Sequence, residues 1–183
     1  GWSYAPYRPL FTDVGDIYIC RVVPGEHSIH LEWLQNVGEC EIFVKECSCA
    51  DFVLAGRSNT CEFDIKDLKK ETDYEFFVKA GDKKSRVRLA RCNQSVGTVV
   101  NYLHPNDQAY DFSGKCLCSP SLVKHPDGYL LASMDLFKGG YPQNLTLIYR
   151  SDDDGKSWHY VSELFPCFWG KLFIITNKFV YYY

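Results

Sequence analysis

The chain has 183 residues, of which 46% are hydrophobic and 16% aromatic, a composition that can bury a core and excludes a disordered chain. Its formal net charge of −3 offers no basic surface to a phosphate backbone, so we expect no nucleic-acid partner. No apolar run approaches the roughly 20 residues of a membrane span, so we expect no membrane segment. The chain begins without an initiator Met or a signal peptide and ends within an apolar run, and we expect it to be a fragment.

Nine cysteines are spread along the chain, and four of them form two C-x-C pairs, Cys47/Cys49 and Cys116/Cys118. This spacing differs from the C-x-x-C knuckle of a zinc site, and we expect neither a metal nor a cofactor. A disulfide framework is typical of small secreted domains with a poor core, which this composition does not describe. We therefore favour reduced, mostly buried thiols and a cytoplasmic location, with a secreted protein as the alternative.

Residues 1–13 hold two prolines and four aromatic residues, which predicts an extended lead-in. From residue 14 to residue 92, apolar and polar residues alternate with a period of two, and no segment shows a helical period. This alternation predicts an all-β region of short strands. The predicted strands are 16–23, 28–34, 40–47, 61–66, 74–80 and 85–91.

Two landmarks indicate that these strands form a β-sandwich. Trp33 lies on the inner face of the second strand, and Tyr74 opens a strand six residues after Leu68, which is the setting of a tyrosine corner. The stretch 60–80 resembles the corresponding part of a fibronectin type III domain, and the resemblance covers about residues 14–92. It implies a spacer or binding module, since the charged residues alternate with apolar ones and predict solvated faces.

Residues 93–113 are polar and irregular, with Gly97 and Pro105, and predict a linker into a second region. His104, Asp107 and Asp111 are of the types that bind metals. Their irregular spacing favours ordinary loop residues.

From residue 114 to residue 183 the period of two returns. It predicts four strands joined as a meander, the unit of a β-propeller blade, followed by an apolar hairpin that begins the next blade. The predicted strands are 119–124, 129–136, 145–150, 159–164, 171–176 and 178–183.

An ordered set of five residues lies between the third and fourth of these strands: Ser151, Asp153, Gly155, Ser157 and Trp158. The glycine can adopt the positive φ that a tight turn needs, and the serine and aspartate side chains can bond to backbone amides of the turn. The tryptophan brings a large apolar surface to the next strand. The set resembles the Asp box of sialidases and other BNR-repeat β-propellers, with Ser157 where Thr is commonest.

The runs CSPSLVKHPDGYLLASMDLF, NLTLIYRSDDDGKSW and ELFPCFWGKLF resemble the first blade of bacterial sialidase-like (exo-α-sialidase) proteins, over about residues 97–183. The resemblance implies further blades in the full-length chain and a glycan partner. It also implies three arginines that hold the substrate carboxylate, a Tyr nucleophile with a Glu, and an Asp acid/base. Cys118 stands two residues before Pro120, where the family has its first arginine, and Asp135 is the nearest candidate for the acid/base.

Alternate connections of a meander lie at the same end, so the loop 135–144 and the segment 165–170 share the end opposite the Asp box. Groups that hold a sugar by hydrogen bonds and stacking gather there. They are Asp135, Lys138, Gln143, Asn144 and Trp169. The other interpretation is an ordinary polar loop with the tryptophan packed between blades.

Two functions remain. The first is the N-terminal fragment of a sialidase-like glycoside hydrolase that acts on terminal sugars of glycans, the fragment itself being inactive. The second is a non-catalytic propeller that binds glycan or protein, with the fibronectin-like domain as a further recognition module.

Overall fold

The computed structural model describes residues 16–34, 38–111, 113–137, 145–165, 167, 169–175 and 179–182. Within these ranges the protein is all-β and has no helix, which confirms the all-β part of the predicted fold class. No helix of the described residues is therefore long and apolar enough to cross a membrane. The chain divides into two compact units, one ending at Ala109 and the other starting at Tyr110. The predicted lead-in, residues 1–13, lies outside the described residues.

The first unit, which we call the sandwich, contains two antiparallel sheets. One sheet has the order β1-β2-β5, and the other has the order β4-β3-β6-β7, with β8 also paired to β6. This division agrees with the fibronectin type III resemblance, the last strand being broken into β7 and β8. The strands are β1 (Tyr18–Pro24), β2 (Ile29–Leu34), β3 (Cys40–Glu46), β4 (Val53–Ser58), β5 (Glu62–Ile65), β6 (Asp73–Ala80), β7 (Lys83–Lys84) and β8 (Arg88–Arg91).

The alternation of the sequence places one face of each sheet in a common core. Leu31 and Trp33 from β2 are buried there with Ile42 from β3 and Phe76 from β6. The hydroxyl of Tyr74 accepts a hydrogen bond from the backbone N–H of Lys69 at 2.9 Å, which confirms the tyrosine corner.

Strand β4 was not predicted from the sequence. It pairs with β3 at the edge of its sheet, where Val53 and Leu54 are exposed and Ala55 is only partly buried against the core, so no row of buried residues imposes an alternation on it. Gly56 lies within the strand, where a Cβ atom would lie 2.5 Å from Cζ of Phe63, so a larger residue would require Phe63 to move.

The segment 99–109, which the sequence places in a linker, is bound to the sandwich. Arg21 donates from Nε to the carbonyl of Val100 at 2.7 Å, and Asn101 Oδ1 accepts from the backbone N–H of Val22 at 3.0 Å. The buried side chains of Arg88 and Asp107 form an ion pair at 2.8 Å. The polar residues of this segment therefore serve as side-chain partners of the sandwich, which a search for strand periodicity does not detect.

The second unit contains a four-stranded antiparallel sheet with the order β12-β11-β10-β9, which we call the meander, and a two-stranded sheet of β13 and β14. The central strands carry the buried apolar residues, among them Leu136, Leu147 and Tyr149. The strands are β9 (Cys116–Lys124), β10 (Leu130–Phe137), β11 (Thr146–Ser151), β12 (His159–Leu164), β13 (Leu172–Ile175) and β14 (Phe179–Tyr182).

Candidate functional site

The Asp-box turn, residues 151–158, connects β11 and β12 through a network of short side chains. Ser151 Oγ accepts from the backbone N–H of Gly155 at 2.8 Å and donates to Asp153 Oδ1 at 2.8 Å. Asp153 Oδ1 also accepts from the N–H of Ser157 at 2.9 Å, and Oδ2 accepts from the hydroxyl of Ser157 at 2.7 Å. The carboxylate therefore closes the turn from inside.

These donors favour the ionised carboxylate. The backbone N–H of Ser157, followed by the hydroxyls of Ser157 and Ser151, lowers the pKa of Asp153 to about 2. Gly155 has a φ of +86°, and Trp158 is buried with Nε1 donating to the carbonyl of Gly155 at 3.1 Å. The positive φ and the burial of the tryptophan are confirmed.

Two exposed ion pairs lie at the Asp-box end. The guanidinium of Arg150 contacts Asp152 Oδ1 at 2.6 Å and lies 3.9 Å above the ring of Tyr129. Lys124 Nζ contacts Asp154 Oδ1 at 2.8 Å. The acidic side chains at this end are therefore bonded within the protein and offer little to a ligand.

At the opposite end of the meander, the Asp135 carboxylate is fully buried. The hydroxyl of Thr146 donates to Oδ1, and the backbone N–H of Trp169 donates to Oδ2 at 2.8 Å. Thr146 is the residue directly opposite Asp135 on β11. Both carboxylate oxygens thus accept hydrogen bonds from the protein, which satisfies the buried charge.

Cys118 lies directly opposite Asp135 on the other side, on β9. The register between β9 and β10 shifts at this point, and Ser119 adopts a φ of +49° in the resulting bulge. Burial raises the pKa of the Cys118 thiol, and the nearby Asp135 carboxylate raises it further, against the opposing effect of the Ser119 hydroxyl. A neutral thiol therefore lies beside the buried carboxylate of Asp135.

Trp169 is presented to solvent by this arrangement. Its φ is +58°, and 69% of its surface is exposed, while its amide is held by the buried carboxylate of Asp135. Two of the predicted sugar-binding residues are thus in contact: the backbone N–H of Trp169 donates to the side chain of Asp135. Lys138, Gln143 and Asn144 lie outside the described residues.

Sequence reasoning did not identify the two partners of the Asp135 carboxylate. Thr146 could have been found from the strand pairing, because Asp135 and Thr146 flank the loop between β10 and β11. The Trp169 amide has no signal in the sequence, because any residue except proline carries the same donor.

No protein-family model matches the chain, and no curated protein matches it. Its structural neighbours are fibronectin type III domains. One derived from the human KIAA0970 protein is 12% identical, with a TM-score of 0.36 over 55% of this chain and 93% of that one. One from the human collagen alpha-1(XX) chain is 19% identical, with a TM-score of 0.33 over 46% and 86%. The FN1–FN3 domains of chicken CNTN1 are 14% identical, with a TM-score of 0.36 over 79% and 51%.

Proposed function

We propose that the meander is the first blade of a sialidase-like β-propeller that binds a glycan without hydrolysing it, and that Trp169 provides the plane on which a sugar stacks. The sandwich is then a second recognition module of the same protein. The proposal rests on the four-stranded order of the meander, the Asp-box turn at one end and the exposed tryptophan at the other.

The observation that carries the proposal is the conformation of Trp169. A positive φ is unfavourable for a bulky residue and persists only where the surroundings fix it. Here the fixing group is the fully buried carboxylate of Asp135, which accepts the tryptophan amide. The backbone of the exposed indole is thus held before any ligand arrives, which reduces the entropy lost on binding. Aromatic planes held in this way suit the apolar face of a sugar ring.

The same geometry favours binding over hydrolysis. A general acid must reach the glycosidic oxygen, and Asp135 is buried with both oxygens already bonded. The arginine that would hold a substrate carboxylate is replaced by Cys118, whose thiol is neutral. Hydrolysis would therefore require Asp135 to release Thr146 and Trp169 first.

The binding test uses the intact protein and a panel of sialylated and neutral oligosaccharides, measured by titration calorimetry and by quenching of tryptophan fluorescence. We expect Trp169→Ala to weaken binding by about tenfold or more, since it removes the large apolar surface on which the sugar stacks. Trp169→Phe should retain part of the affinity. Phe173→Ala removes another exposed aromatic ring of the same unit and should leave binding unchanged. Binding that survives Trp169→Ala, or no binding to any glycan of the panel, would contradict the proposal.

Turnover of fluorogenic α-sialosides and of neutral glycosides distinguishes the hydrolase from the binding protein. We expect no release of the fluorophore by the intact protein. Turnover that disappears in Asp135→Asn, at an unchanged melting temperature, would instead establish the glycoside hydrolase with Asp135 as its acid/base.

A further inference from the structure

Four metal-ligating side chains lie together on the first sheet of the sandwich. His30 and Glu32 come from β2, and Glu62 and Asp64 come from β5. The register of the two strands places His30 opposite Asp64 and Glu32 opposite Glu62, with the pair Leu31 and Phe63 between them on the ladder. Because alternate residues of a strand share a face, all four side chains belong to the same face of the sheet. We call this group the His30 cluster.

The distances within the His30 cluster match the coordination of a small cation. His30 Nε2 lies 3.5 Å from Glu32 Oε1, and one ligand atom each from His30, Glu32 and Glu62 lie within 4.8 Å of one another. With bonds of about 2.0–2.2 Å to nitrogen and oxygen, two ligands of a tetrahedral Zn²⁺ ion are about 3.4 Å apart. The His30–Glu32 edge therefore already has the span that a metal ion requires, and Glu62, which is exposed, has room to close on it.

Asp64 prepares the imidazole for this role. Its Oδ1 lies 2.8 Å from Nδ1 of His30. A carboxylate at Nδ1 keeps the proton on that nitrogen and turns the lone pair of Nε2 toward Glu32. The same relation, carboxylate to imidazole to metal, orients histidine ligands in zinc sites generally.

Carboxylates predominate in the His30 cluster. Arg21 contacts Glu32 at 2.6 Å, and its guanidinium also donates hydrogen bonds to the carbonyls of Val99 and Val100. The carboxylates of Glu32, Glu62 and Asp64 lie on one face of the sheet with the imidazole of His30. Glu62 faces Glu32 directly, an arrangement that destabilises a sheet, and no Lys or Arg among the described residues pairs with Glu62.

We propose that the His30 cluster binds a divalent transition-metal ion such as Zn²⁺, with His30 Nε2 and the carboxylates of Glu32 and Glu62 as ligands and Asp64 as the group that orients the imidazole. A dication offsets the repulsion between the facing carboxylates of Glu32 and Glu62. Glu32 can serve Arg21 and the metal together, because a carboxylate has about four lone-pair sites. The bound ion joins β2 to β5. This inference does not depend on glycan binding by the meander, and it differs from the sequence expectation of no metal because neither ligand spacing is a recognised motif.

Exposed thiols also bind Zn²⁺, so the test uses the intact protein with Cys47, Cys49 and Cys116, the three exposed cysteines, replaced by serine. Titration calorimetry with Zn²⁺ should show one site per chain in this background. His30→Gln and Glu62→Gln should each weaken binding by more than about tenfold, and Asp64→Asn by about tenfold, as for outer partners of zinc ligands. His159→Gln and Glu71→Gln remove an exposed imidazole and an exposed carboxylate elsewhere and should leave the affinity unchanged.

A second measurement separates ligation from folding. Long-range ¹H–¹⁵N spectra should show Nε2 of His30, and not Nδ1, shifting as Zn²⁺ is added. Glu62→Gln removes the repulsion between Glu62 and Glu32 and should melt at or above the wild-type temperature without metal, while losing the rise in melting temperature that Zn²⁺ produces. Absence of a site in the cysteine-replaced background, or an affinity that is unchanged in both His30→Gln and Glu62→Gln, would overturn the proposal.

Discussion

The sandwich and the meander are both antiparallel β-structures with the same sequence period, but they bury their apolar residues differently. In the sandwich, two sheets cover one another, and inward residues such as Leu31 and Val78 lose all exposure. In the meander, burial is concentrated on the central strands, while Leu122 on β9 and Val161 on β12 are exposed at its edges. A period of two therefore predicts a strand, but it does not say what covers the strand.

The two units also bury charge differently. The sandwich buries complete ion pairs, of which Arg88 with Asp107 is the most enclosed. In the meander, the buried side chain of Asp135 accepts hydrogen bonds from the Thr146 hydroxyl and from the backbone N–H of Trp169. The sandwich thus binds an irregular segment through an ion pair, and the meander binds the backbone at Trp169 through a hydrogen bond to a buried carboxylate.

The largest effect should come from the apolar anchor of the meander. Trp158→Ala removes a buried indole and should lower the free energy of unfolding by about 3–5 kcal/mol, as other large core truncations do. Chemical denaturation and hydrogen exchange of the β10 and β11 amides measure the loss. Val161→Ala, which truncates an exposed residue of β12, should change stability by less than about 0.5 kcal/mol. A loss below about 1 kcal/mol in Trp158→Ala would show that the tryptophan does not anchor the meander.

An effect of similar size should follow from breaking the buried ion pair of the sandwich. Arg88→Met leaves Asp107 buried without its partner and should cost about 3–5 kcal/mol of unfolding free energy. Arg91→Met breaks the exposed pair with Asp73 and should cost at most about 1 kcal/mol. The double variant Arg88→Met/Asp107→Leu should regain part of the loss, because no unpaired charge remains. Equal losses in Arg88→Met and Arg91→Met would contradict the role given to burial.

A smaller effect tests the tyrosine corner. Tyr74→Phe removes the hydroxyl that accepts from the Lys69 amide and should cost about 0.5–1.5 kcal/mol while the ring stays packed. Denaturant unfolding measures it. Tyr160→Phe, on β12 of the meander, is the control and removes a hydroxyl outside the sandwich. A smaller loss of unfolding free energy in Tyr74→Phe than in Tyr160→Phe would argue against the tyrosine corner.

The parts of the fold that the sequence predicted are those in which local chemistry decides. Trp33 and Tyr74 predicted the sandwich, because each is a large aromatic residue at a buried position. Gly155 and Trp158 predicted the turn between β11 and β12, because the turn needs a positive φ at one position and a buried aromatic ring at the other. Strand β4 escaped prediction because it is an edge strand with no buried face.

The parts that escaped prediction depend on residues far apart in the chain. The binding of segment 99–109 requires Arg21 and Arg88 to meet Val100 and Asp107, and no local pattern encodes such pairs. Asp135 was singled out from the sequence, but its burial follows from the hydrogen bond to a backbone amide, which carries no residue signature. The pairing of His30 with Asp64 could not be predicted from the sequence either, since it depends on the register between β2 and β5.

The smallest effect should be a pH dependence that belongs to the Asp-box turn. The pKa of Asp153 is lowered from the ordinary 3.8 to about 2 by the Ser157 and Ser151 donors, so the folded turn binds its proton less readily than the unfolded chain does. Its stabilising contribution is therefore complete above about pH 4 and is lost as the pH falls toward about 2. Unfolding curves of the wild type and of Asp153→Asn should converge across that interval, because the variant has no carboxylate to titrate. Asp51→Asn removes an exposed carboxylate outside the turn and should keep the wild-type dependence of unfolding free energy on pH. If the difference in unfolding free energy between wild type and Asp153→Asn stayed constant down to pH 2, the Ser151 and Ser157 donors would not favour the ionised form.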